Sequence, residues 1–269
     1  MSVTLRSGEA RARLDPDAGG RLAGLEVAGL SLLVAKGDGE LARPTAWGSY
    51  PLAPFAGRCR EGRFSFEGRQ YALPVNWPPH AIHGTTFDRP WRLLDHDERS
   101  AHMEIDLGLG DGWPFPGRAL QSFALEDGAL AWRLEVHASE APFPASLGWH
   151  PWWRRRLARG EEARLAFDAR WMYRRDEEGI ALAERVRPSA RPWDDCFTGV
   201  EAPPALAWDG ALRLAIESDG DHWVVYDEPR HAICVEPMTG PPDALNIAPE
   251  VVTPDRPLGL SVRVVWESD

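Results

Sequence analysis

Gly62-Arg-Phe-Ser-Phe-Glu-Gly-Arg69-Gln-Tyr71 is the stretch from which the fold can be read. Side chains alternate between faces along a strand, so Phe64 and Phe66 share one face, and Glu67-Gly68 supplies the turn back. The same period of two recurs in His102-Met-Glu-Ile-Asp-Leu107, Ala119-Leu-Gln-Ser-Phe-Ala-Leu125 and Leu130-Ala-Trp-Arg-Leu-Glu-Val136. Glu126-Asp127-Gly128-Ala129 joins the last two as a hairpin. Further on, Trp223-Val-Val-Tyr226 and Ala232-Ile-Cys-Val235 flank Asp227-Glu-Pro-Arg230, and Leu260-Ser-Val-Arg-Val-Val-Trp266 is another alternating run.

The chain has 269 residues with 24 prolines and 25 glycines spread along it, which interrupts long helices. One short stretch, about Glu177 to Val186, reads as a helix. No fixed-period repeat and no low-complexity linker divides the chain. The expectation is one all-β domain over residues 1–269, a large antiparallel β-sandwich.

Composition narrows the function. A formal net charge of −11 disfavours nucleic acid, whose phosphates require a basic face. Basic charge is almost all arginine, with Lys36 the only lysine. Cys59, Cys196 and Cys234 are widely spaced, odd in number and form no CxxC pair, so neither a disulfide framework nor a zinc knuckle is expected. The first residues carry no apolar leader and no run is long enough to span a bilayer. The expectation is a cytoplasmic protein with no membrane partner.

Three segments place ionisable residues among aromatics and tight turns. They are Pro51-Leu-Ala-Pro-Phe-Ala-Gly-Arg58 with Asn76 and His80-Ala-Ile-His83-Gly84; Ser146-Leu-Gly-Trp-His150-Pro-Trp-Trp153; and Cys234-Val-Glu236-Pro-Met-Thr-Gly-Pro-Pro-Asp243-Ala-Leu-Asn246. A weaker fourth is Trp193-Asp-Asp-Cys-Phe197. Read singly, each has an ordinary explanation. His150 among three tryptophans reads as a core histidine, Glu236 before Pro237 as a solvated strand end, His83 as a turn residue and Arg58 as half of an ion pair. His80-x-x-His83 has metal-ligand spacing, but no third ligand cluster follows, so no metal is expected there. Arg154-Arg-Arg156 reads as a solvated face, or as a contact for a phosphorylated sugar.

Taken in order, from Gly19-Gly20 through Trp266, these segments resemble the aldose 1-epimerase (galactose mutarotase) family. The resemblance implies the large antiparallel supersandwich of that family and no cofactor. It implies Glu236 as general base and His150 as general acid in anomer interconversion of a free sugar. Arg58, His83, Asp194 and Asn76 become groups that bind the sugar. Asp194 and Asp195 are neighbours of which only one is expected to face the site. Asp243 and Asn246 are expected to shape the loop beside Glu236. The chain departs from the family pattern at Gly57, where an Asn usually precedes the Arg, and at Thr85, where a second Gly usually follows. His150 lies in a shorter Gly-x-His-Pro context. These departures leave the acid and base in place and bear on galactose preference.

Opening a hemiacetal needs one proton taken from the C1 hydroxyl and one given to the ring oxygen. A carboxylate and an imidazolium on opposite sides of the sugar are expected to do both. Ordinary pKa values of about 4.3 and 6.5 leave Glu236 ready as a base and require help to keep His150 charged. Competing readings are a hexose-6-phosphate mutarotase, a glycosidase using Glu236 and Asp194 as its carboxylate pair, and a sugar-binding module without turnover. The sequence leaves the particular sugar and the oligomeric state open.

Overall fold

The structure is a computed structural model that describes residues 2–38, 43–110 and 112–268. Two large sheets face each other, and every strand pairing within them is antiparallel. The larger, of eleven strands, runs Val3–Ser7, Ala10–Asp15, Arg21–Val27, Ser49–Leu52, Gly148–Arg154, Ala232–Met238, His222–Tyr226, Asp194–Thr198, Trp171–Arg175 and Ala181–Val186, with Leu30–Ser31 on Arg21–Val27. The smaller, of eight, runs Arg92–His96, Ser100–Leu107, Gly117–Glu126, Ala129–Ala138, Leu258–Ser268, Leu212–Ser218, Ala205–Trp208 and Arg164–Ala166. The fold is the all-β supersandwich the sequence led us to expect.

The alternation read from the sequence decides which atoms enter the core. Along Gly117–Glu126 the odd-numbered side chains, including Phe123 and Leu125, are buried and the even-numbered ones are more exposed. Its hairpin partner presents Leu130, Trp132, Leu134 and Val136 to the same core. From the other sheet Leu14, Leu22, Trp149, Trp153, Ile233 and Val235 complete the layer. Trp149 ties the two sheets together, its ring edge-on to both Phe123 and Trp132, with centroids 5.8 and 6.0 Å away. Burying such aromatics removes a large apolar area from water, the main favourable term in folding.

The larger sheet is buried on its outer face too. A second cluster there includes Tyr50, Leu52, Trp152, Cys196, Val224, Cys234 and Met238. The central strands therefore read as near-continuous buried runs: all seven residues of Ala232–Met238 are buried, as are six of the seven in Gly148–Arg154. Loops from the other segments rise over this outer face and leave a cleft.

Two local expectations are corrected. The segment Glu177 to Val186 is not a helix: Ala181–Val186 forms the edge strand paired to Trp171–Arg175, after a turn in which Asp176 accepts hydrogen bonds from the Glu178 and Ile180 amides. An edge position on a half-covered sheet outweighed the weak helical preference of Ala, Leu and Glu. Glu236 is not at a solvated strand end but in the middle of a central strand, and only 2% exposed.

Candidate active site

Register alone brings the two expected catalytic residues together. Gly148 pairs with Met238 and Trp152 with Cys234, so His150 falls opposite Glu236 between them. Both belong to the face that alternates away from Trp149, Trp153, Ile233 and Val235. Side chains directly opposed on one sheet face are about 5 Å apart at Cβ, so imidazole and carboxylate must meet. His150 Nε2 lies 3.2 Å from Glu236 Oε1, with both residues buried. The expectation that they flank a sugar from opposite sides is therefore corrected: no ring fits between them, and they present themselves side by side at the floor of one cleft.

That cleft has a volume of about 190 Å³, and Arg58, His83, Asp194, Glu236 and His150 all line it. Arg58 arrives on a short strand, Arg58–Cys59, paired with Ala81–Ile82. The amide of Asp243 donates to the Arg58 carbonyl (2.6 Å), and the Asp243 carboxylate accepts from the Arg60 amide and from Asn246 Nδ2. Asp243 and Asn246 thus anchor the segment that carries Arg58 to the loop following Glu236. Gly57 explains the first departure from the family pattern. Its φ is +65°, and a Cβ there would lie 2.9 Å from Pro242, so the chain passes where a side chain has no room.

His83 is also in a left-handed conformation, φ 65°. The following Gly84 brings the chain against Ala53 so closely that a Cβ would come within 2.0 Å of the Ala53 carbonyl oxygen. This sharp path places the His83 ring perpendicular to His150, with centroids 5.2 Å apart. The other histidine of the pair, His80, is engaged elsewhere, its Nδ1 accepting the Glu61 amide.

Asp194 accepts from Arg58 Nη2 and Arg175 Nη1, both at 3.3 Å. Asp195 meets Arg175 Nε at 2.7 Å. Both aspartates reach the cleft lining, not one alone, because Arg175 spans the strand edge and draws Asp195 to it. Asn76 does not line the cleft. Its amide group spends both ends on the backbone of Ile82, donating to the carbonyl and accepting from the N–H. It braces the loop that carries Trp77 and His83. The run Arg154–Arg156 is likewise structural. Arg154 pairs with Asp38 and Arg156 with Glu162, while Arg155 donates to the Pro229 and Asp227 carbonyls.

Several lining residues escaped the sequence reading, among them Tyr50, Trp77, Trp152 and Arg175. The Tyr50 ring stacks on His150 (4.9 Å, 23°), and so does the Trp152 ring (5.3 Å, 9°). Trp152 was findable, since it lies two residues from His150 and so shares its face. Tyr50 was not, since only the pairing of Tyr50 with His150 brings it there. Beneath Tyr50 lies Arg21, 1% exposed, its guanidinium 4.0 Å from the Trp47 ring centroid and 5.1 Å from that of Tyr50. Trp77, 39% exposed, lies at the rim with the Arg43 guanidinium 5.0 Å from its ring centroid.

Electrostatics follow from burial. Desolvation raises the carboxyl pKa of Glu236 well above its ordinary value, and neighbouring Asp194 adds to the effect, while Arg58 opposes it. Desolvation likewise lowers His150 to about 3, with a smaller contribution from Arg21. His83 is held neutral by burial, with His150 and Arg58 acting in the same direction. Burial thus drives the pair toward its uncharged form, proton on the carboxyl. The expectation of a ready carboxylate and a needy imidazole held only for isolated residues.

In this supersandwich a buried histidine and glutamate lie in contact at the floor of an aromatic-walled cleft. The sequence profile of the family described as Aldose 1-epimerase matches residues 1–257, and the chain belongs to that family. It is 32% identical over 258 residues to a protein of Escherichia coli (strain K12) that carries the name Uncharacterized protein YphB, covering 81% of this chain and 83% of the other. A galactose mutarotase-like protein from Clostridium acetobutylicum shares the fold at TM-score 0.88 and 17% identity, covering 100% of this chain and 95% of the other. A galactose 1-epimerase from Lactobacillus acidophilus NCFM superposes at TM-score 0.81 with 16% identity, covering 99% and 94%.

Proposed function

We propose that this chain is a mutarotase that interconverts the α and β anomers of a free monosaccharide by proton transfer through Glu236 and His150. The observation that carries this reading is the 3.2 Å contact between their reacting atoms on the cleft floor. The hydroxyl and ring oxygens involved in ring opening are both bonded to C1, so the two proton-transfer groups belong side by side. Glu236 takes the proton of the C1 hydroxyl and His150 gives one to the ring oxygen. The C1–O5 bond breaks and an open-chain aldehyde forms. After rotation about C1–C2, attack on the other carbonyl face reverses both transfers and restores the pair.

This cycle uses a single proton shared by the two residues. Burial by itself favours its residence on Glu236. Sugar hydroxyls donating to the carboxylate, with Arg58 nearby, draw it to His150 and prepare the base and acid. Arg58, His83 and Asp194 hold the remaining hydroxyls, and Trp77 covers a ring face. Freshly dissolved α-glucose and α-galactose are expected to reach their equilibrium optical rotation faster with the protein, and a methyl glycoside to remain untouched. Rates equal to those of buffer for a panel of free aldoses would sink the proposal, and sugar release from the glycoside would transfer it to hydrolysis.

The pKa directions set the pH profile. A second proton must charge His150 in a buried site, which its low pKa of about 3 opposes. Loss of the last proton leaves a bare carboxylate beside Asp194, which the raised pKa of Glu236 opposes. The one-proton form is therefore retained on both sides of the ordinary histidine value. We expect kcat/KM to stay level through about pH 6.5, with its acid limb well below. A single-proton loss of activity centred near the ordinary histidine value contradicts this.

A further inference from the structure

Next to the cleft floor, though outside the cleft lining, sits a buried thiol that sugar isomerisation does not use. Cys234 lies two residues before Glu236 on the same strand and the same face, and pairs directly with Trp152, two residues beyond His150. One ligand atom each from His150, Cys234 and Glu236 lie within 4.8 Å of one another, and all three residues are buried. From this geometry we propose that the cleft floor binds a thiophilic divalent cation, Zn²⁺ or Cd²⁺, through these three side chains, and that binding inhibits the enzyme.

The donor set fits such an ion. One sulfur, one imidazole nitrogen and one carboxylate oxygen suit zinc-like cations, whereas Mg²⁺ and Ca²⁺ require six or more oxygens or several retained waters. Metal–ligand bonds of about 2.0–2.3 Å place the ligands of a tetrahedron roughly 3.3–3.8 Å apart. His150 Nε2 and Glu236 Oε1, at 3.2 Å, are already near that spacing. The ion takes the place of the proton the pair shares.

Charge also balances. A thiolate and a carboxylate cancel the two positive charges, and the imidazole binds as a neutral ligand, so nothing charged remains unpaired in a buried site. Binding releases two protons, one from the thiol and one from the Glu236–His150 pair. The imidazole is stacked by both the Tyr50 and the Trp152 ring, which fixes its plane with Nε2 toward the carboxylate. His150 and Glu236 line the cleft, so the fourth coordination position faces the opening through which the ion enters.

The inhibitory consequence rests on the mutarotase reading, but the binding does not, and the two are separable. Titration of the 269-residue chain with Cd²⁺ is expected to give an ultraviolet cadmium–thiolate charge-transfer band saturating at one ion per chain. Zn²⁺ is expected to slow mutarotation at least about 10-fold, with recovery on adding a chelator. Cys234→Ala is expected to retain basal mutarotation, lose the band and weaken Cd²⁺ binding at least about 100-fold. Cys59→Ala and Cys196→Ala are expected to keep the band. Absence of the band from the wild-type protein, or its persistence in Cys234→Ala, overturns the site. A protein that shows the band without mutarotase activity upholds the site and instead removes the proposed function.

Discussion

Glu236→Gln is expected to slow mutarotation by roughly 10²–10⁴-fold while the protein remains folded, the range typical of a single positioned acid–base group. Glutamine matches the carboxyl in shape and keeps a hydrogen-bonding group toward His150, but it neither takes nor gives a proton at this step. Because burial already favours the uncharged form of Glu236, a neutral replacement imposes no new desolvation cost. Unfolding in denaturant should therefore move little, or toward greater stability. His150→Asn is expected to lose activity to a similar degree. The double variant should be little worse than either single one, because the two groups handle one proton and act as a unit. Near-wild-type turnover in Glu236→Gln removes the assigned base. Additive losses in the double variant remove the shared proton.

The second large effect concerns stability and begins at Arg21. Its guanidinium donates to the carbonyls of Ala18 (2.7 Å), Trp47 (2.8 Å) and Phe87 (3.1 Å), joining three loops behind the cleft wall. Burial lowers its pKa to about 10, so it stays charged at neutral pH and is held by carbonyl dipoles and ring faces. Arg21→Met keeps much of the side-chain bulk but leaves those buried carbonyls without this donor. Each such loss costs about 1–3 kcal/mol, partly offset by no longer burying a cation, so a net destabilisation on the order of 3 kcal/mol is expected. It should appear as a lower urea midpoint at unchanged slope. Tyr50, which rests on Arg21 and stacks on His150, should loosen as well and lower kcat. An unfolding free energy within about 0.5 kcal/mol of wild type shows that Arg21 is not the brace its contacts imply.

Recognition of the site residues divided by the kind of information each required. Glu236 and His150 stood in motifs with an ordered set of partners and could be picked out before any coordinates. Arg58, His83 and Asp194 came from the same ordered resemblance and line the cleft with them. Asn76 stood in the same series but turns to the backbone of Ile82, because a local amide–backbone closure satisfies both of its ends at once. The arginine run 154–156 had the composition of an anion site but spends its charge on Asp38, Glu162 and two carbonyls. Composition cannot distinguish a free cation from a paired one. Trp152 stood in the His150 motif without an assigned role, whereas Tyr50, Trp77 and Arg175 carried no motif at all.

Alternating side chains and turn residues act over a few positions, so the antiparallel character of the chain and the core-facing side of strands such as Gly117–Glu126 were written in its local sequence. Those same rules placed His150 with Trp152 and Glu236 with Cys234, each pair on one face of its strand. Whether the two faces meet is a matter of sheet register and strand order, which depend on the summed packing of both sheets and on no local segment. Tertiary pairing alone set imidazole against carboxylate, removed both from water and reversed the order of their proton affinities. The chemistry available to this protein arises from that enforced contact.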